Sequence, residues 1–349
     1  MNDTVTGLQE LPEVTVNDTT TGPRPHEVML QMMMGMFVSQ ILGAVAQLGI
    51  PDKLAGGPLP IEELATACGA DRDALYRLLR AASTAGALTE SGDKHFGLTP
   101  IGETLRSNVP GSLRDLLIAQ IAPGHWLPWG KLADAVRRGG STISDTLGVP
   151  DLWTYYAENG EEAQSFARGM SNVSAIAAQE VASVVRPNGA RLIIDVGGSE
   201  GILLRGLLER MPDAHGVIFD RADVIAHVQP AERVEVVAGN FLESVPAGAD
   251  LYVLKHILHD WPDENCEAIL RNCHRAAPEG GRLLVVEMLL PESGSSPITF
   301  VDMNMLVMFR GRERTESEYE ALLRRCGWEL EQVIPTTGMF SVLEAVKIR

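Results

Sequence analysis

The alternation of apolar and polar positions divides the chain into a helical first part and a second part in which strands and helices alternate. Apolar residues recur at helical spacing through residues 26–185, interrupted by one short hairpin. After Pro187 the pattern changes to short apolar runs separated by helical segments. Strands that alternate with helices predict a parallel, doubly wound α/β sheet, with the main domain boundary near residue 185.

The first helical segment carries no charge from Val28 to Ile50, and the helix predicted from His26 to about Ile50 holds five methionines within eight positions. Such a stretch is long enough to cross a bilayer. However, four Ser and Gln residues interrupt it, and its flanks show no basic bias. We therefore expect a buried helix in a core or subunit interface.

Residues 1–25 are rich in Thr, Asp, Gly and Pro and predict a disordered tail.

Residues 51–106 predict a small helical module with a hairpin. Helices begin at Pro60 and after the cap Asp71, and the runs 87–90 and 95–98 flank a turn. Two helices followed by a two-stranded wing are typical of a winged helix, which often reads DNA. Residues 59–106 hold five basic and seven acidic residues, a net charge of −2, and the whole chain carries −17. An acidic surface argues against nucleic-acid binding.

Six of the chain's 18 Trp, Tyr and Phe residues, including three of its five Trp residues, fall within residues 112–185, which are predicted to be helical. Grouped aromatics fit either a pocket for a flat ligand or helix packing, and the sequence leaves both open. They are Trp126, Trp129, Trp153, Tyr155, Tyr156 and Phe166.

The strand-like runs of the second part predict the order of the sheet elements. The predicted strands are residues 191–196, 217–220, 234–238, 251–255 and 283–287, with helices over 202–210 and 266–277.

The chain has 349 residues, which favours two domains, and 45% apolar residues, as in soluble enzymes. Its four cysteines form no Cys-x-x-Cys pair, which favours a reducing cytoplasm and no zinc site.

The first candidate site is the turn Asp195-Val-Gly-Gly-Ser-Glu-Gly201 after the first strand of the second part. Glycines allow close approach of the backbone to a ligand. The turn matches neither G-x-G-x-x-G nor a P-loop, which favours a nucleoside without phosphates. Asp220 ends the next strand, and two interpretations of it are open. In doubly wound folds an acid at this position can hydrogen-bond ribose hydroxyls. Alternatively, Asp220 lies in a surface loop without a ligand.

Further candidates follow the later strands, whose carboxyl ends meet at one edge of a parallel sheet. Asn240 and Phe241 are placed to bracket an adenine, and Lys255 ends the fourth strand. His256 and His259 flank the strand-to-loop transition in Leu254-Lys-His-Ile-Leu-His-Asp-Trp261, with no third metal ligand at clear spacing. A histidine held by carboxylates, here Glu287 and Glu313, is fixed in one tautomer and is a better base.

These motifs together resemble the S-adenosylmethionine-dependent O-methyltransferases of small molecules. The resemblance is to plant caffeate and isoflavone enzymes and to actinobacterial relatives that tailor polyketides and quinone antibiotics, and it covers residues 26–349. The motifs are Asp195-Val-Gly-Gly198, Gly239-Asn-Phe241, Leu254–Trp261, Gly281–Glu287 and Gly311-Arg-Glu-Arg-Thr315.

The resemblance implies an α/β fold in which a Rossmann-like class I methyltransferase domain, residues 186–349, follows an N-terminal winged-helix-like dimerisation domain, residues 26–110. A helical linker, residues 111–185, would line the acceptor pocket. The sheet would end in an antiparallel hairpin over residues 328–333 and 340–346. The protein would be a cytoplasmic homodimer that binds no nucleic acid and no membrane.

The same resemblance assigns roles to individual residues. His259 would be the general base, with Glu287 and Glu313 placing its ring. S-adenosylmethionine would be bound by Asp195, Gly197, Gly198, Asp220, Asn240, Phe241, Lys255, Phe166 and Met170. The acceptor would meet Trp126, Asp260, Asn304, Met305 and Met308, three of them in a loop over residues 303–309. Two positions depart from the family pattern, where Ser199 replaces a third Gly and Asn240 replaces a frequent Asp.

The implied function is metal-independent transfer of a methyl group to a phenolic or hydroxyquinone oxygen, with an anthracycline- or mitomycin-like acceptor. Two alternatives remain open. One is a winged-helix transcription regulator that responds to a ligand, and the other is an enzyme of the same fold with non-methylating chemistry.

Overall fold

The computed structural model describes residues 22–186 and 189–348, so most of the predicted tail lies outside the described residues. The helix predicted over residues 26–50 is divided into α1 (Pro25–Met33) and α2 (Gly35–Gln47), followed by α3 (Ile50–Lys53). The predicted end at Ile50 is wrong because Gly49 adopts a left-handed conformation, φ +63°, that a helix cannot continue.

The methionine-rich face of α1 and α2 is exposed in the single chain. Met29, Met32, Met33, Met34 and Met36 are all more than half exposed. Of the two expected places for this helix, burial in the core of the single chain is therefore wrong for this face, and burial in a subunit interface stays a prediction. By length and composition alone, Pro25–Gln47 is also long and apolar enough to cross a membrane.

The predicted hairpin module is present, with one additional short strand. Its elements are β1 (Leu59–Pro60), α4 (Ile61–Cys68), α5 (Arg72–Thr84), β2 (Leu88–Ser91) and β3 (His95–Leu98). The strands are antiparallel in the order β1-β3-β2. As predicted, Asp71 caps α5, because its Oδ1 accepts a hydrogen bond of 2.8 Å from the Ala74 N–H.

Seven helices connect this module to the second part. They are α6 (Pro100–Glu103), α7 (Arg114–Ile121), α8 (Pro123–Trp129), α9 (Leu132–Arg138), α10 (Ile143–Leu147), α11 (Leu152–Glu158) and α12 (Gly160–Val184). The carboxyl-terminal half of α12 buries Ala177 and Val181 against the sheet, which places its earlier turns near the sheet's carboxyl edge.

Nine further strands complete the fold: β4 (Leu192–Val196), β5 (His215–Asp220), β6 (Val234–Ala238), β7 (Leu251–Lys255), β8 (Arg282–Glu287), β9 (Leu289–Leu290), β10 (Arg314–Thr315), β11 (Trp328–Pro335) and β12 (Ser341–Lys347). Seven of them form one sheet in the order β11-β12-β8-β7-β4-β5-β6, while β9 and β10 pair separately. The five strands β8, β7, β4, β5 and β6 are parallel to their neighbours. The strands β11 and β12 form the predicted antiparallel hairpin, and β12 pairs antiparallel with β8.

Four further helices are α13 (Ile202–Arg210), α14 (Asp263–Ala276), α15 (Ile298–Met308) and α16 (Glu316–Arg325). Helices α12 and α13 pack on one face of the sheet and α14 and α16 on the other, while α15 packs against α8 and α9. The strands β4 and β7 are parallel, but β5 and β6 follow on one side of β4 and β7 and β8 on the other. This reversal of strand order opens a crevice at the carboxyl ends of β4 and β7. The fold therefore places Asp195, Asp220, Lys255 and Glu287 at one edge, as predicted.

The loop expected over residues 303–309 is instead the second half of α15. Met305 and Met308 recur at helical spacing and are 4% and 2% exposed. Burial of these side chains favours a helix, and the extended conformation of Phe309 ends it.

Candidate active site

The glycine-rich turn after β4 is tightly packed. A Cβ on Gly198 would lie 2.8 Å from Asp195 Cγ, and one on Gly197 would lie 2.4 Å from Ile257 Cδ1. A side chain at Gly198 would collide with Asp195, and one at Gly197 would displace Ile257 and is disfavoured by the left-handed φ of +73°. Ser199, at the position of the family's third glycine, adopts a left-handed φ of +49°, which is unusual for a residue with a side chain.

Asp220 is fixed beneath this turn. Its Oδ2 accepts a hydrogen bond of 2.9 Å from the Ser199 N–H, and its Oδ1 accepts one of 2.7 Å from the Arg221 N–H. Burial raises the pKa of Asp220, while these two N–H donors oppose the shift. The carboxylate is therefore oriented toward the glycine-rich turn.

Two of the remaining cofactor candidates lie beside the turn. The Phe241 ring comes within 3.5 Å of the space a Cβ on Gly197 would occupy, and it packs edge-on against Trp261. Lys255 donates a hydrogen bond of 2.8 Å from Nζ to Ser174 Oγ on α12. Burial lowers the pKa of Lys255, and the nearby Asp195 carboxylate opposes that shift.

Asn240, by contrast, is used within its own turn. Its Oδ1 accepts a hydrogen bond from the Leu242 N–H, and its Nδ2 donates to Glu243. Sequence reasoning grouped Asn240 with Phe241 because they are adjacent, whereas the structure places only the Phe241 ring against Gly197.

His259 lies in a short 3₁₀ turn, Leu258–Asp260, directly after β7. It is only 6% exposed. Its Nδ1 is 2.8 Å from Glu313 Oε1 and 3.9 Å from Glu287 Oε2, and its Nε2 is 3.4 Å from Asp260 Oδ1. Three carboxylates from three separate segments therefore surround one buried imidazole.

These carboxylates determine the ionisation of the ring. Burial lowers the pKa of His259, but Asp260, Glu287 and Glu313 outweigh burial and raise it to about 10. Burial in turn raises the pKa of Glu287 to about 7, while the positive charge on His259 lowers it.

The backbone around His259 is held from two sides. Glu287 Oε1 accepts hydrogen bonds from the N–H groups of Ile257 and Leu258, at 3.2 and 3.0 Å. The buried Arg314 donates from Nη1 to the Leu258 carbonyl at 3.1 Å. A Cβ on Gly311 would lie 1.9 Å from the His259 carbonyl oxygen. Glu287 therefore orients the turn more directly than it orients the ring.

His256, two positions before this turn, has an unusual setting. Its φ is +54°. Its ring lies between those of His259 and Phe340, with centroids at 4.6 and 4.7 Å. Within the described residues, neither of its buried ring nitrogens has a hydrogen-bond partner.

His256, His259 and Glu287 have possible metal-ligand atoms within 4.8 Å of one another. A metal ion binds an imidazole nitrogen in the plane of the ring. The two histidine rings are stacked only 26° from parallel, so their lone pairs do not converge on one point. As placed, these residues do not fit a metal centre.

An aromatic cluster on α8, α11 and α12 is linked to the His259 site through α15. The Phe166 ring stacks on His125 at 5.5 Å and contacts Tyr156 at 5.3 Å. Trp129 Nε1 donates a hydrogen bond of 3.0 Å to Asn304 Oδ1 on α15. The same helix holds Glu313 through Asp302, whose Oδ1 accepts from the Glu313 N–H.

The remaining acceptor candidates lie around this cluster. Met308 packs in the same hydrophobic core as Tyr156, Met305 is buried on the same helix, and Trp126 is half-buried. The cofactor candidate Met170 on α12 is also half-buried. Sequence reasoning missed His125, whose Nδ1 lies 3.3 Å from the Tyr156 hydroxyl. Burial lowers the pKa of His125 to about 4, so its ring is neutral at neutral pH.

A glycine-rich turn, a buried acid at the next strand end and a carboxylate-bound histidine therefore share one sheet edge. Residues 129–329 match the model of the O-methyltransferase domain, and residues 30–108 match that of the O-methyltransferase dimerisation domain. The chain belongs to the O-methyltransferase family.

Two curated relatives cover nearly the whole chain. The phenazine O-methyltransferase PhzM of Lysobacter antibioticus is 35% identical over 91% of this chain and 95% of its own length. The mitomycin biosynthesis 6-O-methyltransferase of Streptomyces lavendulae is 32% identical over 89% and 91%. The solved structure of human N-acetylserotonin methyltransferase with S-adenosylmethionine superposes with a TM-score of 0.87, at 28% identity over 95% of this chain and 100% of that one. The enzyme is thus an S-adenosylmethionine-dependent O-methyltransferase.

Proposed function

We propose that this O-methyltransferase acts on a phenolic or hydroxyquinone oxygen of a natural product, with His259 as general base and without a metal ion. The observation that carries the proposal is the 2.8 Å contact between His259 Nδ1 and Glu313 at the carboxyl edge of the sheet. The mitomycin relative is named for a natural product, which supports an anthracycline- or mitomycin-like acceptor.

The residues at the sheet edge fit the cofactor. The close packing of Gly197 and Gly198 leaves the turn's backbone as the contact surface for the amino acid portion, near Asp195. The fixed Asp220 carboxylate suits the ribose hydroxyls, and the Phe241 ring suits the adenine. Phe166 and Met170 on α12 would approach the sulfonium. When bound, S-adenosylmethionine supplies a methyl group that is already activated.

The protein therefore has to orient the acceptor oxygen and hold one proton. His259 Nε2 would accept that proton, with Glu313 fixing the ring through Nδ1 and Glu287 fixing the turn. The acceptor would lie among Trp126, Asp260, Asn304, Met305 and Met308 on the aromatic side of the turn.

All of the exposed methionine face of α1 and α2 except Met29 lies within the matched dimerisation domain. We propose that a second copy of the chain covers it, which gives a cytoplasmic homodimer. An apolar face of this size is unfavourable in water, at about 25 cal/mol per Å².

The test is a mass-spectrometric screen of phenols and hydroxyquinones with methyl-labelled S-adenosylmethionine after extensive EDTA treatment. We expect one labelled methyl group on an oxygen. Activity lost with EDTA and restored by Mg²⁺ would contradict the metal-independent mechanism. Binding to random duplex DNA in a gel shift at low salt would favour the regulator alternative.

A further inference from the structure

Both ring nitrogens of His259 face carboxylate oxygens, at 2.8 Å for Glu313 and 3.4 Å for Asp260. A neutral imidazole carries one N–H and one bare lone pair. In the neutral ring, one carboxylate would meet a lone pair instead of a proton. The site is buried, so this repulsion would be weakly screened. An imidazolium presents an N–H to each carboxylate.

We infer that His259 rests as an imidazolium, so that the enzyme selects acceptors with acidic aromatic hydroxyls and takes them from solution as oxyanions. Hydroxyquinones and phenols with electron-withdrawing substituents belong to this class. The inference rests on the proposed function for the position of the acceptor beside Nε2. It limits the general-base role of His259 to weakly acidic acceptors.

The charges on every element around the ring support this state. Asp260 comes from the 3₁₀ turn, Glu287 from β8 and Glu313 from the segment before β10, and together they keep the pKa of His259 at about 10. His256 remains neutral because burial and the charge of His259 lower its pKa. Lys255 acts on Asp260 and Glu287 rather than on the ring.

The two acceptor classes then follow different proton balances. An acidic acceptor arrives as an oxyanion, which attacks the methyl carbon. The C–S bond breaks with its electron pair passing to sulfur, and the proton stays on His259. A weakly acidic acceptor needs the neutral ring, which takes the hydroxyl proton and later releases it to solvent. Below the pKa of the ring, each pH unit changes that neutral fraction about tenfold.

The protonation state is tested by NMR on the full-length protein with ring-¹⁵N histidines. The chain has eight histidines, and loss of one signal pair in His259→Gln assigns the resonance. We expect imidazolium shifts at both nitrogens through pH 8, and a lower titration midpoint in Asp260→Asn. The exposed Asp73→Asn is the matched control and should leave the midpoint unchanged. One bare nitrogen at pH 7.5 would overturn the inference.

The acceptor class is tested with 2-hydroxy-1,4-naphthoquinone and 2-naphthol as probes of similar shape. We expect methylation of the naphthol to rise about tenfold per pH unit between pH 7 and 9, and that of the hydroxyquinone to change less than about twofold. A flat naphthol profile would overturn the inference, because it indicates a ring already neutral at pH 7. Methylation of neither probe by a protein that binds S-adenosylhomocysteine would overturn the proposed acceptor class, while the NMR result would still decide the protonation state.

Discussion

Glu313→Gln is expected to lower the pKa of His259 by about one to two units. The substitution keeps the size of the side chain and an acceptor oxygen near Nδ1, but it removes the charge that lies 2.8 Å away. A hydrogen bond to a charged group contributes about 1.5–3 kcal/mol. One pKa unit corresponds to about 1.4 kcal/mol, which gives the expected shift. The direction is downward because a carboxylate stabilises the protonated ring.

The ¹⁵N titration of His259 measures this shift directly. Glu316→Gln, an exposed change three residues away at the start of α16, is the matched control and should leave the midpoint in place. An unchanged or higher midpoint in Glu313→Gln would refute the view that Glu313 stabilises the imidazolium. It would also remove the reason for placing Glu313 in the catalytic group.

The remaining predictions concern binding, packing, stability and assembly. Asp220→Ala should weaken S-adenosylmethionine and S-adenosylhomocysteine equally in calorimetry, by about 1–3 kcal/mol, because both carry the same ribose; unchanged affinity would exclude Asp220 from the site. Gly311→Ala should reduce kcat at nearly constant cofactor Kd, because its Cβ would collide with the His259 carbonyl; an unchanged kcat would contradict the packing argument. The folded-state pKa of His259 lies above its ordinary value of 6.5, so its contribution to stability is complete below pH 6.5 and is lost as the pH rises toward 10. In chemical denaturation, the free energy of unfolding should therefore fall more steeply with rising pH in wild type than in His259→Gln. Equal pH dependence in the two proteins would count against the raised pKa. Met33→Glu should produce monomers or aggregates in light scattering, whereas an active wild-type monomer would contradict the proposed dimer.

The central strands of the sheet could be predicted from the sequence because their side chains are apolar and buried on both faces, as in β7, which matches the strand predicted over residues 251–255. The strand predicted over residues 234–238 matches the edge strand β6, in which Glu235 is exposed. Their carboxyl ends follow from parallel topology, which is why Asp195, Asp220 and Lys255 were expected at one edge. The helix cap that Asp71 provides for α5 could likewise be predicted from the sequence.

The contacts that set the chemistry could not be derived from spacing. Glu313 is 54 residues from His259 in sequence, so spacing names it as a candidate carboxylate but does not place it 2.8 Å from Nδ1. Asp260 was expected to meet the acceptor, and its position opposite Nε2 depends on the conformation of the 3₁₀ turn. The stacking of His256 depends on a positive φ that no side-chain pattern predicts. The helix α15 was mistaken for a loop because its apolar residues cover all sides of the helix.

The most direct test of the central claim compares wild type with His259→Gln at pH 9, using 2-naphthol as a weakly acidic acceptor. At this pH an appreciable fraction of the wild-type ring is neutral and able to accept the proton. We expect kcat to fall severalfold or more in the variant, less than the factor of about 10²–10⁴ that a general base usually contributes, because the naphthol that is already ionised at pH 9 needs no base. The Kd for S-adenosylhomocysteine should be nearly unchanged. Equal kcat values for the two proteins would contradict the assignment of His259 as the proton acceptor.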